Sequence, residues 1–221
     1  INKGFSLILI DTIAPLGAKA FTHPDFDVVW REIEEADIAV TLHVGADSSW
    51  DPIPLSFYNN GGSVPEHTAG DAPRDALAYM GIQYNAEIFL ASMIFDGVFQ
   101  RFPNLRVGVV ELGASWIISW MKQLDQSFRA FRRLQDLSQL KLLPSEYVLK
   151  HIKLTAFPGE DIGWLLTNGA EDLMMFATDY PHHEGTDDPI SRYERTMNNI
   201  SEEVKSKFYT QNFKQLLGSH L

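Results

Sequence analysis

Ile38-Ala39-Val40-Thr41-Leu42-His43-Val44-Gly45 is the stretch that decides the fold. It is a nearly continuous apolar run that ends on an imidazole and a glycine. Runs of this kind are strands of a parallel sheet, covered on both faces. Three other segments end in the same way. Val107 to Val110 closes on Glu111-Leu112-Gly113, and Leu173 to Ala177 closes on Thr178-Asp179-Tyr180-Pro181. Ser6 to Ile10 closes on Asp11-Thr12, and His151 to Thr155 alternates weakly as a fifth strand. Between them lie helical patterns. Pro24 opens one, with Asp25 and Asp27 in the first turn, where the helix dipole favours anions, and with Phe26, Val29, Trp30 and Ile33 on one face. Ala86, Phe89, Leu90, Met93, Ile94 and Val98 mark a second, and Ile117, Trp120, Leu124, Phe128, Phe131 and Leu134 a third. Asp161 to Asn168 is a short helix capped by Gly169. Ser201 caps a helix running towards Phe208, and Gln211 to Leu217 is the last, stopped by Gly218. Strand and helix alternate along the whole chain, which implies βαβ units and an α/β fold with a parallel sheet. Five strands are too few to close an eight-stranded barrel. With no repeat or linker, residues 1–221 read as one domain.

Composition narrows the function. The 221 residues carry a formal net charge of −11 and no cysteine. Disulfides and thiolate metal sites are excluded, leaving His, Asp and Glu as the strong metal ligands. The acidic balance argues against nucleic acid, and no apolar stretch is long enough to span a bilayer. A soluble cytoplasmic protein acting on a small molecule is the expectation, with a homo-oligomer as its expected state. Sequence signatures of serine hydrolases, P-loop enzymes and dinucleotide-binding enzymes are missing. Gly45 to about Arg74, rich in Gly, Pro, Ser, Asp and Asn, is a loop long enough to be functional.

In a β/α barrel the active site sits at the C-terminal ends of the strands. His43 and Asp179 both hold that position and together can share a divalent cation, which lowers the pKa of bound water and polarises a carbonyl. The alternative for each is a satisfied structural group or a helix cap. Glu111 is a candidate base, substrate contact or partner of a metal-bound histidine. Its alternative is a charge serving the N-terminus of the following helix. Of His182 and His183, at most one is expected to point inward. His67 can reach a substrate from the long loop, and Trp50 can wall a pocket there. His23 reads as a helix-start residue, and His151 and His220 as bystanders. Trp30, Trp116, Trp120 and Trp164 read as core.

Several segments in order resemble the amidohydrolase-related family, in the branch that includes aminocarboxymuconate semialdehyde decarboxylase and γ-resorcylate decarboxylase. They are His23-Pro24-Asp25-Phe26-Asp27-Val28-Val29-Trp30, Leu42-His43-Val44-Gly45 and Gly97-Val98-Phe99-Gln100-Arg101-Phe102-Pro103-Asn104-Leu105-Arg106-Val107. Glu111-Leu112-Gly113-Ala114-Ser115-Trp116, Ala177-Thr178-Asp179-Tyr180-Pro181-His182 and the segment from Gln211 to Gly218 complete the set. The resemblance implies part of a distorted TIM (β/α)8 barrel, strands four to eight. It implies His43 as the strand-five metal ligand and Asp179 as the strand-eight ligand and proton carrier. The implied ion is divalent, zinc or manganese. The family's strand-one metal motif has no counterpart in this chain, and its decarboxylases carry His where this chain has Glu111. The resulting expectation is a metal-dependent hydrolase of a small organic acid, ester, lactone or amide, with Asp179 and Glu111 catalytic and Trp50, His67 and His182 at the substrate. The alternatives are a non-oxidative decarboxylase of an aromatic or unsaturated carboxylic acid, and an inactive barrel fragment serving as scaffold or subunit. Beginning at Ile1 inside a strand, the chain reads as a fragment whose open sheet edges need upstream sequence or a partner chain. With two matched ligands it is expected to hold an ion weakly or not at all.

Overall fold

The computed structural model describes residues 4–12, 19–44, 53–63, 73, 75–182 and 185–220. Five strands form one sheet: β1 (Leu7–Leu9), β2 (Ala39–His43), β3 (Val107–Val110), β4 (Ile152–Thr155) and β5 (Met174–Met175). All neighbours are parallel and lie in chain order, the arrangement of successive strands in a (β/α)8 barrel. The register explains the continuous apolar runs. Val40 aligns with Val107 and Ile152, and Leu42 with Val109 and Leu154. This row is fully buried under the helices. The opposite face carries Thr41 and His43, Gly108 and Val110, Lys153 and Thr155, and Met175.

That second face is plugged at its N-terminal end. Helix α10 (Asn212–Leu217) sends Leu216 against Ala39 and Met175. Gly108 makes room, since a Cβ there would lie 2.8 Å from Leu216 Cδ2. The tail is tied to the same edge. The Arg106 guanidinium donates to the Leu216 carbonyl at 2.8 Å and pairs with Asp37, and the Ser219 N–H donates to Asp37 Oδ2 at 2.8 Å. The Ser219 hydrogen bonds, then Arg106, hold the Asp37 carboxyl down at about 2.

The helices follow the sequence patterns with instructive departures. A 3-10 turn, Pro24–Phe26, leads into α1 (Asp27–Glu35), and His23 Nδ1 accepts the Asp25 N–H at 3.2 Å as a cap. After α2 (Ala76–Met80), the pattern ending at Val98 is two helices, α3 (Tyr84–Phe95) and α4 (Val98–Arg101). They are split by Gly97 at φ +74, a left-handed conformation that glycine adopts without strain. Helix α5 (Ile117–Phe131) stops short of Leu134, which is 82% exposed. Helix α6 (Pro144–His151) ends on His151, which therefore precedes β4 instead of opening it. Helix α7 (Ile162–Leu165) runs into a π segment, Leu166–Ala170, where Gly169 sits at φ +105. Trp164 is 50% exposed there, so the core expectation fails for it, while Trp30 and Trp120 are buried. Helices α8 (Pro189–Glu194) and α9 (Glu202–Ser206) follow, the latter capped by Ser201. The strand expected over Leu173 to Ala177 shrinks to two residues because the Phe176 N–H leaves the ladder. It donates instead to the carbonyl of Phe208 in the π segment Lys207–Gln211, at 3.0 Å.

Candidate functional site

Strand alternation puts His43 on the face away from the helices, at the C-terminal edge. Its Nδ1 lies 2.7 Å from the Val44 carbonyl. A carbonyl only accepts, so Nδ1 carries the hydrogen and donates. Nε2 then points at Glu111 Oε2, 3.2 Å away.

Glu111 reaches that position by breaking the strand pattern. Val110 aligns with His43, so simple alternation would send the next side chain to the helix side. Glu111 instead adopts φ +57, which turns its carboxylate towards His43. Its N–H donates to Thr155 Oγ1 at 3.2 Å, from the end of β4. The alternative reading of Glu111, as the charge serving the N-terminus of α5, fails because Glu160 does that work. The Glu160 carboxylate accepts from the N–H groups of Ala114, Ser115 and Phe157 and from the Ser115 hydroxyl, all within 3.0 Å.

Asp179 follows β5 and also turns left-handed, at φ +51. Its side chain is 4% exposed. His182 Nδ1 lies 2.9 Å from Asp179 Oδ1 and donates to it; Oδ2 is buried and accepts no hydrogen bond among the described residues. The turn is tight. The His182 N–H donates to the Asp179 carbonyl at 2.9 Å, and a Cβ on Gly185 would come within 2.2 Å of that same carbonyl oxygen. Below it, the Tyr193 hydroxyl lies 2.8 Å from the Ala156 carbonyl and 3.0 Å from that of Ala177, tying the ends of β4 and β5 together. Burial raises the Tyr193 pKa and keeps it a neutral donor.

The structure thus brings four of the candidates together. His43 touches Glu111, and Glu111, Asp179 and His182 each offer a ligand atom within 4.8 Å of the others. The donors are imidazole and carboxylate, the set that zinc and manganese take. An acceptor as buried as Asp179 Oδ2, with no donor of its own, fits a cation. Trp50 and His67 lie outside the described residues, as does His183. Thr155, Glu160 and Gly185 escaped the sequence reading. Thr155 ends a strand just as His43 does, and that position was the available signal. A cleft of about 240 Å³ is lined by Tyr79, Ile82, Leu112, Trp116, Phe157 and Glu160, and none of His43, Glu111, Asp179 and His182 lines it. Its walls are mostly apolar and aromatic.

Solved structures share this fold. An amidohydrolase from Mycobacterium avium subsp. paratuberculosis K-10 superposes with a TM-score of 0.74 at 22% identity, over 96% of this chain and 52% of its own. The 5-carboxyvanillate decarboxylase of Sphingomonas paucimobilis gives 0.66 at 22% identity, over 96% and 58%. That of Novosphingobium aromaticivorans DSM 12444, which has bound manganese and 3-methoxy-4-hydroxy-5-nitrobenzoic acid, gives 0.67 at 21%, over 97% and 57%. The chain therefore spans little more than half the length of these structures. No curated protein matches it. The amidohydrolase family model matches residues 4–218, nearly the whole chain, and the chain belongs to that family.

Proposed function

We propose that this chain carries the catalytic edge of a metal-dependent decarboxylase acting on a small aromatic or unsaturated carboxylic acid. The observation that carries the reading is the His182–Asp179 hydrogen bond, set beside Glu111 and His43 at the C-terminal edge of the sheet. Loss of CO₂ leaves a carbanion that needs a proton. His182 is half-exposed and bonded through Nδ1 to a buried carboxylate. It can hand a proton to substrate carbon and be recharged from solvent. Asp179 fixes the ring orientation and stabilises its charged form. A divalent ion held by His43 and Asp179 would supply positive charge to the substrate oxygens. Three-dimensional likeness to 5-carboxyvanillate and 2,6-dihydroxybenzoate decarboxylases supports the choice over hydrolysis.

Hydrolysis is the second reading, favoured by Glu111 itself. A carboxylate at the end of β3, near a second one at Asp179, can serve as the base that activates water. The test is to incubate the purified protein, supplied with MnCl₂, with carboxyl-¹³C-labelled 5-carboxyvanillate, dihydroxybenzoates and cinnamates, and in parallel with aryl esters and lactones. Labelled CO₂ supports the proposal. Turnover confined to the esters or lactones overturns it in favour of hydrolysis.

A further inference from the structure

We propose that Tyr193 is a positioning residue for this edge: its hydroxyl holds the Asp179 turn against the end of β4, so that the Asp179 carboxylate meets His182 Nδ1. The inference deepens the reaction proposed above, in which His182 hands over a proton, and rests on that reading for its purpose.

Four observations carry it. The first is where the sheet stops. β5 pairs with β4 at Met174 and Met175, opposite Leu154 and Thr155. Beyond Met175 the ladder ends, because the Phe176 N–H turns to the Phe208 carbonyl. The second is what takes over. The carbonyls of Ala156 and Ala177, at the two strand ends, both accept and cannot pair with each other. The Tyr193 hydroxyl lies between them, 2.8 Å from the first and 3.0 Å from the second. Tyr193 is 0% exposed, so bulk solvent cannot stand in for that donor. The third is the mounting. The Tyr193 ring meets Phe176 and Phe208 edge-on, with centroids 5.7 and 5.1 Å apart. Its helix is braced as well. A Cβ on Gly163 would come within 1.7 Å of the Thr196 carbonyl oxygen, so α7 lies directly on the chain just past α8. The Gly163 N–H donates to Thr196 Oγ1 there, at 3.2 Å. A group carried on packed helices keeps its geometry more closely than one carried on a loop. The fourth is the load. Asp179 holds φ +51, a conformation that persists in a residue with a side chain where its surroundings fix it. The Thr186 N–H donates to the Thr178 carbonyl at 3.1 Å, and the His182 N–H to the Asp179 carbonyl at 2.9 Å. Those bonds close the turn on itself, and the Tyr193 hydroxyl ties the closed turn to β4. The charges agree with this placement. After burial, the carboxylates of Glu160 and Asp179 push the Tyr193 pKa up.

The test reads the tautomer of His182 in the full chain, without metal or turnover. In protein labelled with ¹⁵N-histidine, at about pH 8.5 and with EDTA present, exposed imidazoles are neutral. Ring ¹⁵N shifts then separate Nδ1–H from Nε2–H, and His182→Gln assigns the resonance. The wild type is expected to hold mainly Nδ1–H. Tyr193→Phe keeps the ring and removes the hydroxyl. It is expected to shift the ratio about five-fold towards Nε2–H, the effect of one weakened hydrogen bond. Ile33→Ala is the control. It hollows the core beside α1, on the far side of the sheet, loses at least as much stability, and should keep the wild-type ratio. Should Tyr193→Phe fail to fold by circular dichroism, the reciprocal coupling decides the point. In wild type labelled with ¹³Cζ-tyrosine, the Tyr193 resonance is identified by its absence when p-aminophenylalanine takes position 193. That resonance must move in His182→Gln. A wild type in the Nε2–H form, an unchanged ratio in Tyr193→Phe, an equal shift in Ile33→Ala, or an unmoved Tyr193 resonance each overturns the proposal. The expected tautomer shift in a protein that releases no labelled CO₂ would instead leave Tyr193 in its role and remove the reaction.

Discussion

Burial of His151 predicts that this protein loses stability in acid over a defined pH window. It closes α6 at 2% exposure, its ring stacked on Phe99 with centroids 4.5 Å apart. Nδ1 donates to the Leu105 carbonyl at 2.7 Å, and Nε2 has no hydrogen-bond partner among the described residues. Burial is the main cause that lowers its pKa from 6.5 to about 4. The folded state therefore holds the neutral ring, while the unfolded chain takes up a proton below 6.5. Between those two values the unfolded state binds more protons, so stability falls as pH falls. The contribution is complete above pH 6.5 and lost on the way down to 4. At ~1.4 kcal/mol per pKa unit, the whole step is about 3 kcal/mol, a large share of an ordinary domain's stability. The assay is urea unfolding of the wild type and His151→Asn at pH 7.0, 6.0, 5.0 and 4.5. Asparagine keeps a donor near Nδ1 and cannot titrate. At pH 7 the variant should be less stable by roughly 2–3 kcal/mol, from lost ring packing. That gap should close by about 2–3 kcal/mol as the pH reaches 4.5. Groups shared by both proteins, Asp37 and the exposed histidines among them, cancel in the difference. Parallel curves for the two proteins would refute the argument.

The other expectations are simpler. Tyr193→Phe removes the hydroxyl shared by the Ala156 and Ala177 carbonyls and should cost about 1–2 kcal/mol in urea unfolding, with no change in the midpoint's pH dependence near neutrality. Leu216→Ala empties the plug between Ala39 and Met175 and should cost roughly 2–4 kcal/mol; a loss under about 0.5 would mean that α10 does not seal this face. Thr155→Val keeps the volume but deletes the acceptor of the Glu111 N–H, and should weaken Mn²⁺ binding several-fold where Thr155→Ser does not. Calorimetry on the two variants checks it.

The sheet was legible because each strand is a short apolar run that stops at a polar residue, and burial on both faces leaves no other reading of Ala39 to Leu42. The placement of His43 and Asp179 at one edge followed from chain order in a parallel sheet. The neighbours of those residues were not legible. That Glu111 meets His43 depends on a left-handed backbone at position 111, for which glutamate carries no local signal. The role of Glu160 depends on a loop after β4 folding over the start of α5, a contact between residues 45 positions apart. Helix α6 was missed although Pro144 at its first turn and Glu146, whose carboxylate accepts the Leu143 N–H at 2.6 Å, are start signals. The Lys- and Leu-rich run around them hid the period. Trp164 shows the opposite error. A tryptophan at helical spacing was read as core, but α7 is one turn long and turns that face to solvent.

The two left-handed carboxylates explain why strand alternation alone cannot build this edge. A strand that runs straight on past Val110 sends its next side chain to the helices, where an ionised carboxylate would be costly to bury. Turning the backbone at Glu111 costs on the order of 1–3 kcal/mol. The cost is offset locally, because the displaced N–H finds Thr155 Oγ1 and the chain beyond is pinned by Glu160 through Ala114 and Ser115. At Asp179 the same turn is held by the His182 N–H on the carbonyl and by the bare face of Gly185 against it. Neither arrangement adds to the core; both bring negative charge close to negative charge. Strain placed twice, at the same edge and with the same sense, therefore serves that edge and not the core.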